Sequence, residues 1–177
     1  MIRKATVADL DVIEAIYDAI HAQEEAGEVT VGWQRGVYPT RFTAAAAIEC
    51  GDMFVELSDE DDGVVVASAR INQEQVPEYA DATWEHDAPP ERVLVLHTLT
   101  VDPAAGGHGY AKRFVAFYEE LACEMNCPYL RMDTNERNTR ARALYKKLGY
   151  TEPDIVPCVF NGIPGVQLVC LEKKLQF

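Results

Sequence analysis

The chain lacks any apolar run of the roughly 20 residues needed to cross a bilayer. Its first residues, Met1-Ile2-Arg3-Lys4-Ala5, carry charge with no apolar stretch behind them, so no targeting leader is expected. Cysteine is sparse. Cys50, Cys123, Cys127, Cys158 and Cys170 are odd in number and show no zinc-type pairing, and no histidine lies near Cys123 or Cys127 in sequence. Reduced thiols in a cytoplasmic protein are therefore expected, with no metal. Basic residues are few: 16 Lys and Arg stand against 29 Asp and Glu, for a formal net charge of −13. Such a body repels nucleic acid and anionic membranes and favours a cationic small partner such as an amine. There is no repeat, linker or low-complexity tract. Hydrophobic residues make up 48% of the chain, enough to build a core, and one domain over residues 1–177 is expected.

Hydrophobic spacing supplies the elements. Residues 2–5 read as a short strand. Thr6 and Asp9 form a capping-box pattern before the helical stripe Leu10, Ile13, Ile16, Tyr17 and Ile20. Thr43 is placed as the cap of a second short helix through residues 44–47. Residues 52–57 and 64–71 read as two strands joined at Asp61-Asp62-Gly63. Residues 72–90 form a long excursion. A strand over 93–101, a helix from Gly109 to Met125, a strand over 129–132 and a helix over 138–148 stopped by Gly149 follow. Residues 156–160 and 166–171 close the chain as a hairpin whose apolar surface is a candidate homodimer contact. The order mixes hairpins with strand–helix–strand crossovers. It predicts an α+β fold with a mixed, largely antiparallel sheet of six to seven strands flanked by about four helices.

Between the strand ending at Val101 and the helix starting near Gly109 lies Asp102-Pro103-Ala104-Ala105-Gly106-Gly107-His108. Glycines let backbone N–H groups converge on a ligand, and a helix N-terminus adds partial positive charge, so the turn suits a phosphate. Neither the dinucleotide-binding Gly-x-Gly-x-x-Gly pattern nor the Walker pattern is met, which argues against a nucleotide-using phosphotransferase.

The stretch resembles motif A of the GNAT superfamily of N-acetyltransferases, matching at Val101, Pro103, Gly107, Gly109 and Ala111. Gly106 stands where the family usually has a basic or amide residue. Asn138, Ala141, Leu144, Tyr145, Gly149 and Tyr150 resemble motif B in the family order. The resemblance implies the GNAT-like fold and acetyl-coenzyme A as co-substrate. It implies cofactor contacts at Leu99, Thr100, Val101, Gly106, Gly107, His108, Gly109, Tyr110, Ala111, Asn138, Arg140 and Tyr145. Arg137, Arg142, Lys112 and Arg113 are further cationic candidates. The implied reaction is direct acetyl transfer to a primary amine, with a small cationic amine the expected acceptor. The alternatives are a weakly catalytic acyl-coenzyme A-sensing relative and a protein or peptide N-acetyltransferase.

The chemistry needs a base for the ammonium and an acid for the leaving thiolate. Tyr145 matches the family tyrosine that faces the coenzyme A sulfur and is the candidate acid. His97, in a His-x-Leu-x-Val run similar to arylalkylamine N-acetyltransferases, is the candidate base; simple strand alternation would put it on one face with Val95, Leu99 and Val101. Glu56, Glu85 and Asp133 compete with it. Glu24, Trp33, Tyr38 and Trp84 are candidate acceptor contacts, since a carboxylate and aromatic faces suit a cation.

Overall fold

The computed structural model describes residues 1–60 and 63–176. Seven strands join one sheet: β1 (Ile2–Lys4), β2 (Met53–Leu57), β3 (Val65–Asn72), β4 (Val93–Val101), β5 (Tyr129–Asn135), β6 (Thr151–Phe160) and β7 (Ile163–Lys174). Their spatial order is β1-β2-β3-β4-β5-β7-β6. Every neighbouring pair is antiparallel except β4 with β5. The helices are α1 (Leu10–Glu25), α2 (Arg41–Glu49), α3 (Tyr110–Glu124) and α4 (Thr139–Lys147). This is the predicted α+β architecture. Of the turn expected at 61–63, Asp61 and Asp62 lie outside the described residues, while Gly63 has φ +81°.

Alternation along the strands divides the core. One sheet face carries Phe54, Ala69, Leu94, Leu96, Leu130, Met132, Val169 and Leu171, covered by Phe114, Val115 and Tyr118 of α3 and by Tyr145 of α4. On the opposite face, α1 and α2 cover Met53, Val55 and Val65. The 73–92 excursion covers the rest, resting Tyr79 on Val93, Val95, Leu168 and Cys170.

The excursion is irregular but latched. Trp84 Nε1 donates to the Tyr79 carbonyl at 3.0 Å, and its ring lies 4.0 Å from the Arg131 guanidinium. Arg131 in turn donates to the buried Glu172 carboxylate at 3.0 Å, and His86 reaches the other oxygen of Glu172. Glu85, His86 and Glu172 place possible metal-ligand atoms within 4.8 Å of one another. The Glu172 oxygens are already engaged by Arg131 and His86, so the trio reads as a fastening.

Three boundaries move. The second helix is capped by Thr40, whose Oγ1 accepts from the Thr43 N–H at 3.3 Å, so Thr43 lies inside it as the reciprocal capping-box partner. The last hairpin is longer than predicted and turns on Asn161-Gly162 alone, with φ +50° and +79°, the geometry a two-residue turn requires. Pro153 and Pro164, which fall just outside the predicted strands, lie inside the observed ones. Pro153 and Pro157 sit on β6, which pairs only with β7 and so tolerates a missing donor. Finally, β5 continues through Asp133, Thr134 and Asn135, polar residues that gave no strand signal.

Candidate active site

The site begins where β4 and β5 part. Their parallel register runs from Val93↔Tyr129 to Leu96↔Met132 and stops. Beyond it, residues 97–101 and 133–135 turn unpaired flanks toward the gap between them. Two adjoining cavities occupy this region, of about 380 Å³ and about 620 Å³.

A bulge aims β4 into the gap. Opposite β3, Arg70 faces His97 and Ser68 faces Thr100, so β4 carries one extra residue. Thr98 takes up the difference at φ +53°, a strained conformation for a β-branched residue. The Tyr38 hydroxyl bonds to Thr98 Oγ1 in a short contact. The extra residue inverts the alternation and corrects the sequence expectation. His97 stays on the face of Val95, whereas Leu99 and Val101 pack with Leu94 and Leu96 on the other.

The turn after β4 forms a cradle. Asp102 Oδ1 accepts from the Ala104 N–H at 2.9 Å and closes a single 3-10 turn over Pro103–Ala105. Gly107 and Gly109 adopt φ +90° and +79°, Gly109 as the N-cap of α3. A Cβ on either would meet nothing within 4 Å, so conformation demands glycine here, and open space stands over the backbone. The larger cavity lies against this cradle. It is lined by Leu99, Thr100, Val101, Gly106, Gly107, Gly109, Tyr110, Ala111, Lys112, Asn138, Arg140 and Tyr145. Of the predicted cofactor contacts, His108 alone is not among the lining residues; its ring faces Glu60 at 3.4 Å. Arg137, Arg142 and Arg113 are drawn into ion pairs with Glu24, Glu152 and Glu56. Lys112 and Arg140 remain on the groove.

Helix α4 sets the junction. Asn138 Oδ1 caps it by accepting from the Ala141 N–H at 3.2 Å, and Asn138 Nδ2 donates to Thr134 Oγ1 at 3.1 Å. Two turns on, Tyr145 is 7% exposed and lines both cavities. Its hydroxyl makes no hydrogen bond among the described residues. Burial, with Asp133 adding to it, raises the phenol well above its ordinary value, so it keeps its proton.

The smaller cavity lies on the face of α1, α2 and the excursion. His97 and Asp133 both line it. His97 Nε2 is 3.0 Å from Asn72 Oδ1. Burial first, then the Arg70 cation, push the imidazole down to about 4 against the pull of Glu74 and Asp52. It is neutral and weakly basic at neutral pH. Asp133 behaves oppositely. Burial raises its carboxyl to about 7, although the Tyr79 hydroxyl donates to its Oδ2 at 2.7 Å. Glu56 is held by Arg113, and Glu85 is exposed on the excursion; neither lines the cavity.

Of the expected acceptor contacts, Trp33 and Tyr38 line this cavity. Glu24 and Trp84 do not. Glu24 pairs with Arg137 at 3.3 Å and takes the Gly32 N–H, while Trp84 is occupied by Arg131 and Tyr79. Sequence reasoning missed Arg70, Thr98, Thr134 and Asn135. The one sequence signal for Arg70 was a charge inside the otherwise uncharged strand run 64–71; its place opposite His97 is set by strand pairing.

Residues 28–34 roof the junction, and Val31 and Trp33 line both cavities. At Gly32, φ is +79°, and an added Cβ would lie 2.3 Å from Asn135 Nδ2. Gly32→Ala is therefore expected to cost about 1–2 kcal/mol through backbone strain and crowding. A urea titration should show the lower midpoint with an unchanged slope.

A sheet split between parallel strands, a glycine cradle at a helix N-terminus and a second cavity sharing its tyrosine define a two-substrate transferase. The family model for the GNAT family of acetyltransferases matches residues 13–150, and the chain belongs to that family. Acetyl-coenzyme A-dependent acetyl transfer is the family's activity. No curated protein matches the chain. Solved structures share its fold. A GNAT family acetyltransferase from Streptococcus agalactiae is 24% identical, with a TM-score of 0.80 over 100% of this chain and 96% of its own. The yncA acetyltransferase of Salmonella typhimurium, solved with acetyl-coenzyme A, is 18% identical, with a TM-score of 0.69 over 100% and 94%. A ribosomal-protein-alanine N-acetyltransferase from Brucella melitensis is 20% identical, with a TM-score of 0.71 over 99% of each chain.

Proposed function

We propose that residues 1–177 form a single cytoplasmic N-acetyltransferase domain that moves an acetyl group directly from acetyl-coenzyme A to a small primary amine. The observation that carries this is Tyr145, whose unbonded hydroxyl stands at the junction of the two cavities. The larger takes the coenzyme. Backbone N–H groups at 107–111 receive the pyrophosphate, Leu99 to Val101 offer unpaired backbone to the pantetheine, and Lys112 and Arg140 supply positive charge. The coenzyme's thioester provides the activated acetyl group. The smaller cavity takes the amine, between Trp33, Tyr38 and Asp133.

Asp133 takes the base role ahead of His97. A group held near 7 accepts a proton from an ammonium far better than one held near 4. Its Oδ2 is fixed by Tyr79, which leaves Oδ1 for the amine or an intervening water. The raised phenol of Tyr145 stays protonated, so it can hydrogen-bond to the departing sulfur and does not take a proton itself. His97 acts as a neutral wall group. A cavity of about 380 Å³ suits a small acceptor better than a folded protein's terminus. Release of free coenzyme A over a panel of small amines tests the reading. Tight acetyl-coenzyme A binding with no release from any acceptor would establish the sensing alternative instead.

Gly106 lies at φ −63°, ψ 149°, a backbone any residue adopts, and an added Cβ at 3.2 Å from Pro103 O asks the turn to yield by a few tenths of an ångström. Gly106→Arg is expected to tighten acetyl-coenzyme A binding roughly threefold to tenfold by adding one charge-assisted contact to the pyrophosphate. Titration calorimetry at two salt concentrations should show the gain shrinking as salt rises.

A further inference from the structure

We propose that the acceptor is a zwitterion, a primary amine bearing a carboxylate or similar anion a few bonds away and an apolar side chain, with Arg70 receiving the anion. This rests on the acyl-transfer reading above and names its substrate class.

The charges of the cavity carry the argument. Among the described residues lining it, only Arg70 and Asp133 have formally charged side chains. Glu24, the carboxylate that suggested a cationic acceptor, is used elsewhere: it pairs with Arg137 and does not line this cavity. A polyamine or aminoglycoside would enter with several positive charges and meet one carboxylate and one guanidinium. An amino acid-like acceptor meets one of each.

Arg70 is built to hold an anion. It projects from β3 on the cavity face, opposite His97. Its Nη2 is tied to Glu74 at 2.5 Å and lies 3.6 Å from Asp52, which fixes the guanidinium plane. Its Nε is buried with no hydrogen-bond partner. With Nη2 engaged and Nε buried, Nη1 is the edge without a hydrogen-bond partner among the described residues, and an entering carboxylate can take it through a charge-assisted bond. Tyr38 relates the two charges. Burial first raises its phenol against the Thr98 bond, and the remaining influences are Asp133, which raises it, and Arg70, which lowers it. Tyr38, Arg70 and Asp133 all line the one cavity of about 380 Å³, a space of small-molecule size. Much of the remaining wall is apolar, with Val76, Phe160, Ile163, Val166 and Leu168, and suits an aliphatic or aromatic side chain.

The test uses substrate series rather than mutation alone. Free coenzyme A release is measured for apolar α-amino acids, their amides and their decarboxylated amines. The amino acids are expected to show kcat/KM roughly tenfold to a hundredfold above their amides and amines, the scale of one charge-assisted bond. Arg70→Gln should close that margin by raising KM for the amino acid far more than for the amine. Arg70→Lys should restore part of it. Equilibrium binding of the amino acids in the presence of coenzyme A gives a second readout, with the same loss in Arg70→Gln. Turnover that favours amines or polyamines over amino acids would overturn the zwitterion while leaving the acyltransferase intact. An Arg70→Gln enzyme that loses both acceptor types equally would overturn the role of Arg70. No release from any acceptor would remove this inference together with the function on which it rests.

Discussion

Replacing Tyr145 by phenylalanine is expected to lower kcat by about a hundredfold or more while acetyl-coenzyme A affinity stays within about twofold, the range removal of a general acid produces. The ring packs beside Tyr150, with centroids 6.1 Å apart, and phenylalanine keeps that packing. The hydroxyl has no hydrogen bond among the described residues, so its loss leaves no protein partner unsatisfied. The substitution therefore removes a proton donor and almost nothing else. Single-turnover mixing separates the chemical step from product release. Unchanged turnover would remove Tyr145 from the mechanism, and a matching rise in the dissociation constant would make it a binding residue.

Asp133→Asn is expected to lower kcat/KM by about a hundredfold or more and to flatten the pH profile. The wild-type profile should fall about tenfold per unit below about pH 7, because protonated Asp133 cannot accept a proton. If His97 were the base, the fall would begin near 4. His97→Asn is expected to leave the limb at 7 in place. The groups that act on or respond to Asp133 are the Tyr79 hydroxyl, Glu78, the phenols of Tyr38 and Tyr145 and the thiols of Cys158 and Cys170; none carries positive charge. Stability should move the other way. The carboxyl is raised from 3.8 to about 7 in the folded chain, so the fold binds this proton more tightly than the unfolded chain does. Its contribution is fully present below about 4 and is lost as pH rises through 7. Asparagine is neutral throughout and can still accept from Tyr79. The variant should thus melt higher than wild type at pH 8, with the difference vanishing near pH 4. Calorimetry at the two pH values checks this, and a lower melting temperature at pH 8 would mean that Asp133 is not strained there.

The fold was legible because its periodicities are strong. The Leu10–Ile20 stripe, the Val93–Val101 run and the Phe114–Tyr118 face each point to one partner surface. The cofactor side was legible for a different reason. A glycine turn at a strand–helix junction is local, so sequence spacing and spatial spacing coincide. The acceptor side is assembled from segments far apart in the chain: Tyr38 before α2, Arg70 on β3, His97 on β4 and Asp133 on β5. No spacing rule reports such a gathering. Thr134 and Asn135 escaped, and Asp133 was seen only as a competitor to His97, because a polar strand end looks like a loop, although strand ends beside a crossover are where ligands collect. Glu24 and Trp84 were misplaced because sequence shows a charge or a ring but not the Arg137 or Arg131 that occupies it. Thr98 hid the bulge, since nothing in a run of β-branched residues announces a reversed backbone.

That bulge sets which changes of length the gene can accept. Because β4 holds three steps against two on β3, the residues before and after Thr98 count on different parities. Deleting Thr98 would set Leu99 opposite Ala69 and leave Thr100 opposite Ser68 and Val101 opposite Ala67, so every side chain downstream would keep its face. What such a deletion removes is the reversed backbone that the Tyr38 hydroxyl bonds. The extra residue is thus a spacer that belongs to the site and not to the core, and its loss would show in the cavity while the packing survived.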